Sequence, residues 1–275
     1  MKKRNYSKKE MAIIIVLSIV MLTIAVLLNQ FFPADSKKTA SDSVTVTGVA
    51  TATATPTVAP TPVPDPTEKI ATFLQGPKSW GWRLPWSGIW GEEYYDGGKF
   101  GAFGCGPCCM ANIYTTVSPY ECSPLDMYEY AKKVGGYEGG GAIDWGSIKV
   151  TLKKAGITSD VWRKPKKYSK FQKQVKDSLA CIVVVSSYNS DCYWKDTPGH
   201  YVTIFQYDEH TDRVFLADSG DPNHNRHWVK LKKIYKSLKT SNSWQYLAVT
   251  DYNKKKDAWK HKGFGGECVL PDSWK

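Results

Sequence analysis

Cys105 stands in the run Gly104-Cys105-Gly106-Pro107-Cys108, and Met110, Ile113, Tyr114 and Val117 follow it at helical spacing. That pattern predicts a helix whose first turn accepts Pro107 and whose amino terminus carries the Cys105 thiol. The thiolate, not the thiol, is the nucleophile, and both a helix amino terminus and a nearby imidazolium favour it. An imidazole must come from elsewhere, and the chain offers His200, His210, His224, His227 and His261.

Strand alternation separates these histidines. Tyr201 to Tyr207 and Arg213 to Asp218 read as a hairpin turning near Glu209. In that register His200 lies opposite Asp218, while Val202 and Ile204 face Leu216 and Val214. The shared face is otherwise apolar, so it is expected to pack inward on the amino-terminal helices with His200 and Asp218 at the hairpin's open end. A histidine at a strand end can also be purely structural, its nitrogens satisfied by the carboxylate. His210 falls in the turn, and His224 and His227 follow Asp221-Pro222 in a polar loop, so all three read as surface residues.

Several elements must carry these groups. Ser123-Pro124-Leu125-Asp126 opens a second helix as a capping box that Gly135-Gly136 stops, and Asp144 caps a third running to Gly156. A fourth helix is expected over residues 169–179. The β-branched run Ala180 to Val185 and the segment Trp244 to Thr250 join the hairpin as strands. Helices first and strands later indicate an α+β domain with a mostly antiparallel sheet. Four tryptophans, Trp80, Trp82, Trp86 and Trp90, precede it in a segment with no clear period.

Gly104-Cys105-Gly106-Pro107, then Gly199-His200-Tyr201-Val202, then Val214-Phe215-Leu216-Ala217-Asp218 resemble, in type and order, the C39-like cysteine peptidases of papain-like fold. The resemblance runs from Phe73 to Val249. It implies Cys105 as nucleophile, His200 as base and Asp218 as the group that orients the imidazole. It also implies an oxyanion-binding role for Gln75, in Phe73-Leu74-Gln75-Gly76, with a peptide or protein as substrate and neither cofactor nor metal. Two features depart from the pattern. Gln75 stands thirty residues before Cys105, and Cys108-Cys109 replace the small or hydroxyl residues usual after Gly-Pro.

Other readings compete. Cys105-Gly106-Pro107-Cys108 also spells a thioredoxin-type site, which would make Cys105 and Cys108 a thiol–disulfide oxidoreductase pair. That fold needs an apolar strand directly before the motif, whereas residues 96–104 are glycine-rich. No second Cys-x-x-Cys accompanies the first, which counts against zinc. A third reading is a non-catalytic module that binds cell wall on a peptidase scaffold.

The amino terminus sets an expected location. Residues 1–10 form a basic tip, and Met11 to Leu28 carry no charge. Extended to Phe32, that stretch is long enough for a single transmembrane helix, residues 11–32, with the basic end in the cytoplasm. Residues 33–67, rich in Ser, Thr, Ala, Val and Pro, read as an extended stalk. Residues 68–275 would then be an extracellular domain on a bacterial cell membrane. Its seven cysteines cannot all pair within one chain. The net charge is +11, with lysines crowded at 164–176, 230–239 and 254–262. These read first as a solvated face that keeps the domain soluble, with contact to anionic cell-wall polymers as the alternative, and the absence of any nucleic-acid module argues against nucleic acid as a partner.

Overall fold

The computed structural model describes residues 65–188 and 191–275, which belong to one compact unit. The expected membrane span and nearly all of the stalk lie outside the described residues. Among the described residues no helix is long and apolar enough to cross a membrane.

The chain enters through short pieces: α1 (Pro77–Gly81), β1 (Ser87–Gly88), a 3-10 turn (Ile89–Gly91), β2 (Tyr94–Tyr95), β3 (Gly98–Lys99) and the single turn α2 (Phe100–Phe103). The tryptophans anchor this irregular region. Trp86 and Trp90 are fully buried and meet Phe73 edge-on, while Trp90 Nε1 donates to the Leu74 carbonyl. Aromatic burial here replaces regular secondary structure as the source of cohesion.

Helix α3 (Cys105–Val117) follows directly and is buried from Cys105 to Thr115. Helix α4 (Pro124–Gly135) begins with the expected capping box: Ser123 Oγ accepts from Asp126 N–H at 3.1 Å, and Asp126 Oδ2 accepts from Ser123 N–H at 2.8 Å. It ends at Gly136, whose φ of 72° is the left-handed conformation glycine adopts freely. In α5 (Trp145–Lys154), Asp144 Oδ1 accepts from Gly146 and Ser147 N–H, as the sequence predicts.

The remainder builds one sheet: β4 (Ala155–Trp162), β5 (Ala180–Val185), β6 (His200–Asp208), β7 (Arg213–Ala217), β8 (His227–Lys230) and β9 (Tyr246–Asp257). Its order is β4-β9-β5-β6-β7-β8, and every pairing is antiparallel. Helices α6 (Tyr168–Lys176) and α7 (Leu231–Ser237) interrupt the strands, and the short β10 (Cys268–Val269) returns to pair with β1. The observed class is thus the expected α+β with a mostly antiparallel sheet.

The sheet is covered on both faces. Ile182, Val184, Tyr201, Phe205, Phe215 and Ala217 join the core built on α3, α4 and α5. Val183, Val202, Ile204, Val214 and Leu216 join a second core with Phe171 of α6 and Ile234 of α7. This corrects the expected hairpin. The Val202/Ile204 face packs on α6 and α7, and it is the alternate face that meets the amino-terminal helices.

The register also differs. Ile204 pairs with Leu216 and Thr203 with Ala217, a slip of two residues from the expected alignment, and His200 pairs with Val185 of β5. The turn occupies residues 209–212, and a bulge between Phe205 and Tyr207 inserts Gln206 at a φ of 43°. The turn sets the offset, at three residues beside it, and the extra residue brings the pairings beyond it back by one.

Candidate active site

The site forms where β6 begins and β7 ends, against the amino terminus of α3. His200 is the first residue of β6, Asp218 follows the last residue of β7, and Cys105 opens α3. The hairpin's open end therefore does hold the pair, although the two are not cross-strand partners. His200 Nε2 lies 2.8 Å from Asp218 Oδ1, and the imidazole acts electrostatically on the Cys105 thiol, whose Sγ donates to the Phe103 carbonyl at 3.8 Å. With Nε2 committed to the carboxylate, Nδ1 is the nitrogen left for sulfur.

Burial makes these contacts strong. Side-chain exposure is 12% for His200 and 0% for Asp218, and Cys105 is buried. Desolvation alone would discourage ionisation of Cys105. The hydrogen bond and charge of His200, with the Tyr201 and Gly106 N–H groups, outweigh it and lower the thiol's pKa. For His200, burial pulls the pKa down, but bonds to Asp218 and Cys105 and their charges carry it up to about 10. Asp218 is held below the usual carboxylate range against its own desolvation, chiefly by His200 and then by His224 and Trp194.

Asp218 is heavily supported. Trp194 Nε1 donates to Oδ2 at 2.7 Å, and the Gly220 N–H donates to Oδ1 at 3.0 Å. Asn225 Oδ1 accepts from the Asp218 N–H at 3.1 Å, fixing the backbone. His224, expected at the surface, instead reaches the site, with Nδ1 3.4 Å from Asp218 Oδ2. That is ion-pair distance but too poorly aimed for a hydrogen bond, since the buried Nδ1 has no hydrogen-bond partner. His224 packs on Tyr193 with ring centroids 4.6 Å apart, and Asp218 holds its pKa above the ordinary value.

Sequence reasoning missed Trp194 and His224 for different reasons. Trp194 lies in a loop with no periodic signal. The Asp218-Ser219-Gly220-Asp221-Pro222 run is turn-forming, and a chain that doubles back there returns His224 to Asp218; that signal lies in the residues themselves. His227, in β8, is exposed as expected, and His210 lies in the hairpin turn.

Gln75 lies deep beside the same elements. Its Oε1 accepts from Ser219 Oγ at 2.6 Å, its Nε2 donates to the Gly101 carbonyl at 3.1 Å, and its own N–H donates to the Ser219 carbonyl at 2.8 Å. Gln75 is thereby tied to Ser219, the residue after Asp218. The amide retains a second Nε2 hydrogen.

Cys105, Cys108 and Cys109 are thiols, with no disulfide between them. Burial foremost pushes Cys108 and Cys109 well above the ordinary thiol range, whereas Cys105 is lowered. The segment before the motif is β3 and the turn of α2, not the buried strand of a thioredoxin-type site. No metal-binding cluster occurs among the described residues.

The phytochelatin synthase family model matches residues 141–246, a span that contains His200 and Asp218 but not Cys105 or Gln75. Phytochelatin synthase falls in the papain-like cysteine peptidase clan. The chain is similar to papain-like cysteine peptidases. Among solved structures, it aligns with the crystal structure of a Bacillus anthracis protein described as a C39-like peptidase. That alignment has 12% identity and a TM-score of 0.34, covering 60% of this chain and 98% of the other. No curated protein matches the chain in sequence.

Proposed function

We propose that this chain is a thiol peptidase that hydrolyses amide bonds through Cys105, His200 and Asp218. The likeness at family level is to cysteine-peptidase-type hydrolases. The observation that most supports the specific reading is the largely buried His200 2.8 Å from Asp218, at the amino terminus of the helix that Cys105 opens, where its charge favours the Cys105 thiolate. His200 holds Cys105 as a thiolate, which attacks the carbonyl carbon of the substrate. The tetrahedral intermediate collapses, the C–N bond breaks and the imidazolium gives its proton to the departing amine. Water then attacks the thioester, passing a proton to His200 and releasing the acid. Asp218 keeps the ring oriented and stabilises its charge, as the third member of such a chain does. Gln75 and the Cys105 N–H are the proposed donors to the oxyanion.

In this reading residues 11–32 anchor the protein in the cell membrane, and the stalk carries the catalytic domain outside. The substrate is then an extracellular peptide or protein. A diverse peptide mixture tests the reading without a defined substrate. The full chain in detergent is incubated with the mixture and new amino termini are identified by mass spectrometry. Cleavages that disappear in Cys105→Ala support the proposal. Cleavages that persist in that variant, or an intact mixture with the wild-type chain, would overturn it.

A further inference from the structure

A Cys105 thiolate, a His200 imidazolium and an Asp218 carboxylate together leave one negative charge in excess in a largely buried site. Such a charge is costly unless something balances it. A second imidazole stands where the balance is missing. His224 Nδ1 lies 3.4 Å from Asp218 Oδ2, the oxygen that His200 does not use, and 3.7 Å from Asp221 Oδ2. Nδ1 is buried and has no hydrogen-bond partner, and both groups at ion-pair distance from it are carboxylates. A ring nitrogen that faces acceptors carries the proton, so protonation of the other nitrogen makes the ring a cation.

The surroundings suit that cation. Tyr193 packs on the ring with centroids 4.6 Å apart and Trp194 meets it edge-on at 6.2 Å, and burial raises the Tyr193 phenol above its ordinary range, which keeps it neutral. Lys233 of α7 lies over the Tyr193 ring at 5.6 Å, and Lys195 borders the same cavity of about 180 Å³ as His200, Asp218 and His224. The side chain is a quarter exposed, so it can exchange protons with solvent. Asp218 foremost, with Asp221, raises the His224 pKa above the ordinary value, against burial and the like charge of His200. Trp194 also donates to Asp218 Oδ2, but an indole brings no charge, and His224 does.

We propose that His224 is a positioning residue of the catalytic site: as a cation on the outer oxygen of Asp218, it balances the thiolate–imidazolium–carboxylate row and extends its ionisation to lower pH. The inference rests on the peptidase reading above. Its sign follows from charge alone. A positive group beside Asp218 favours the ionised forms of both Asp218 and Cys105, so each takes up its proton at lower pH than it would without His224.

The test uses the full chain in detergent, with iodoacetamide alkylation of Cys105 between pH 3 and 8 and NMR titration of isotope-labelled histidine. His224 is expected to titrate above the ordinary histidine value of about 6.5 and to fall back toward it in Asp218→Asn. His224→Gln should move the acidic inflection of Cys105 alkylation up by about half a unit, the effect of one charge acting at a distance through a largely buried site. His224→Lys supplies a cation without the ring and should return the inflection to its wild-type pH. A rate lowered at every pH with the inflection unmoved, or a shift that lysine fails to reverse, would reduce His224 to packing and overturn the inference. So would a His224 that titrates, in the wild-type fold, at or below the ordinary value. Alkylation indifferent to His200→Ala would sink the peptidase reading and this inference with it, whereas alkylation that depends on His200 but not on His224 would sink this inference alone.

Discussion

At the residue scale the account turns on how Cys105 is ionised. Asp218→Asn keeps the shape of the carboxylate while removing its charge, and related triads lose on the order of 10²- to 10⁴-fold in kcat when the orienting group fails. The same range is expected here, measured on any peptide the wild-type chain cleaves. Gln75→Ala separates oxyanion binding from thiolate formation. It should lower kcat/KM by on the order of 10²-fold and leave the alkylation rate of Cys105 nearly unchanged, because alkylation passes through no oxyanion. Trp194→Phe withdraws one donor from Asp218 and should move the acidic limb of the pH–rate profile to higher pH. The Cys, His and Asp were legible because each sits at a recognisable boundary, the first of a helix and the others at strand ends. Trp194 was not, because a loop residue reaching over a carboxylate leaves no pattern in the sequence.

At the element scale the capping signals carried the helices. Ser123 with Asp126 and Asp144 with Ser147 are local hydrogen-bond chemistry, so sequence alone locates them. Asp144→Ala should cost about 1 kcal/mol of stability in chemical unfolding. β4 escaped detection because Gly156 and the polar Thr158, Ser159 and Asp160 read as a helix stop and loop, while pairing with β9 makes them an edge strand. α7 escaped because its lysines read as a solvated face, although Leu231, Ile234 and Leu238 are buried on one side. The hairpin register failed at the turn, which spans residues 209–212 instead of centring on Glu209; the bulge at Gln206 takes back one residue of that offset. Gly106 links element to site: a Cβ there would lie 2.2 Å from Ile143 Cγ2. Gly106→Ala must therefore displace α3 or the segment before Asp144. It should cost about 1–3 kcal/mol and slow Cys105 alkylation, read by unfolding and by thiol kinetics on the same sample.

At the scale of the whole molecule Asp218 and His200 set a pH window for stability. Asp218 has a depressed pKa in the folded state, so its contribution to stability is present above the ordinary carboxylate value and is lost as pH falls. His200 is raised from 6.5 to about 10, so its contribution is complete below pH 6.5 and drains away as pH rises toward 10. Unfolding measured across pH should show the stability difference between wild type and His200→Ala shrinking through that upper range.

The central claim, that His200 makes Cys105 a thiolate at neutral and acidic pH, is tested most directly by the rate of iodoacetamide alkylation between pH 5 and 8, resolved by peptide mapping. The account predicts that Cys105 reacts fastest of the seven cysteines, stays reactive at the acidic end, and loses that advantage in His200→Ala. A Cys105 whose rate climbs with pH like an ordinary thiol and is indifferent to His200 would contradict it.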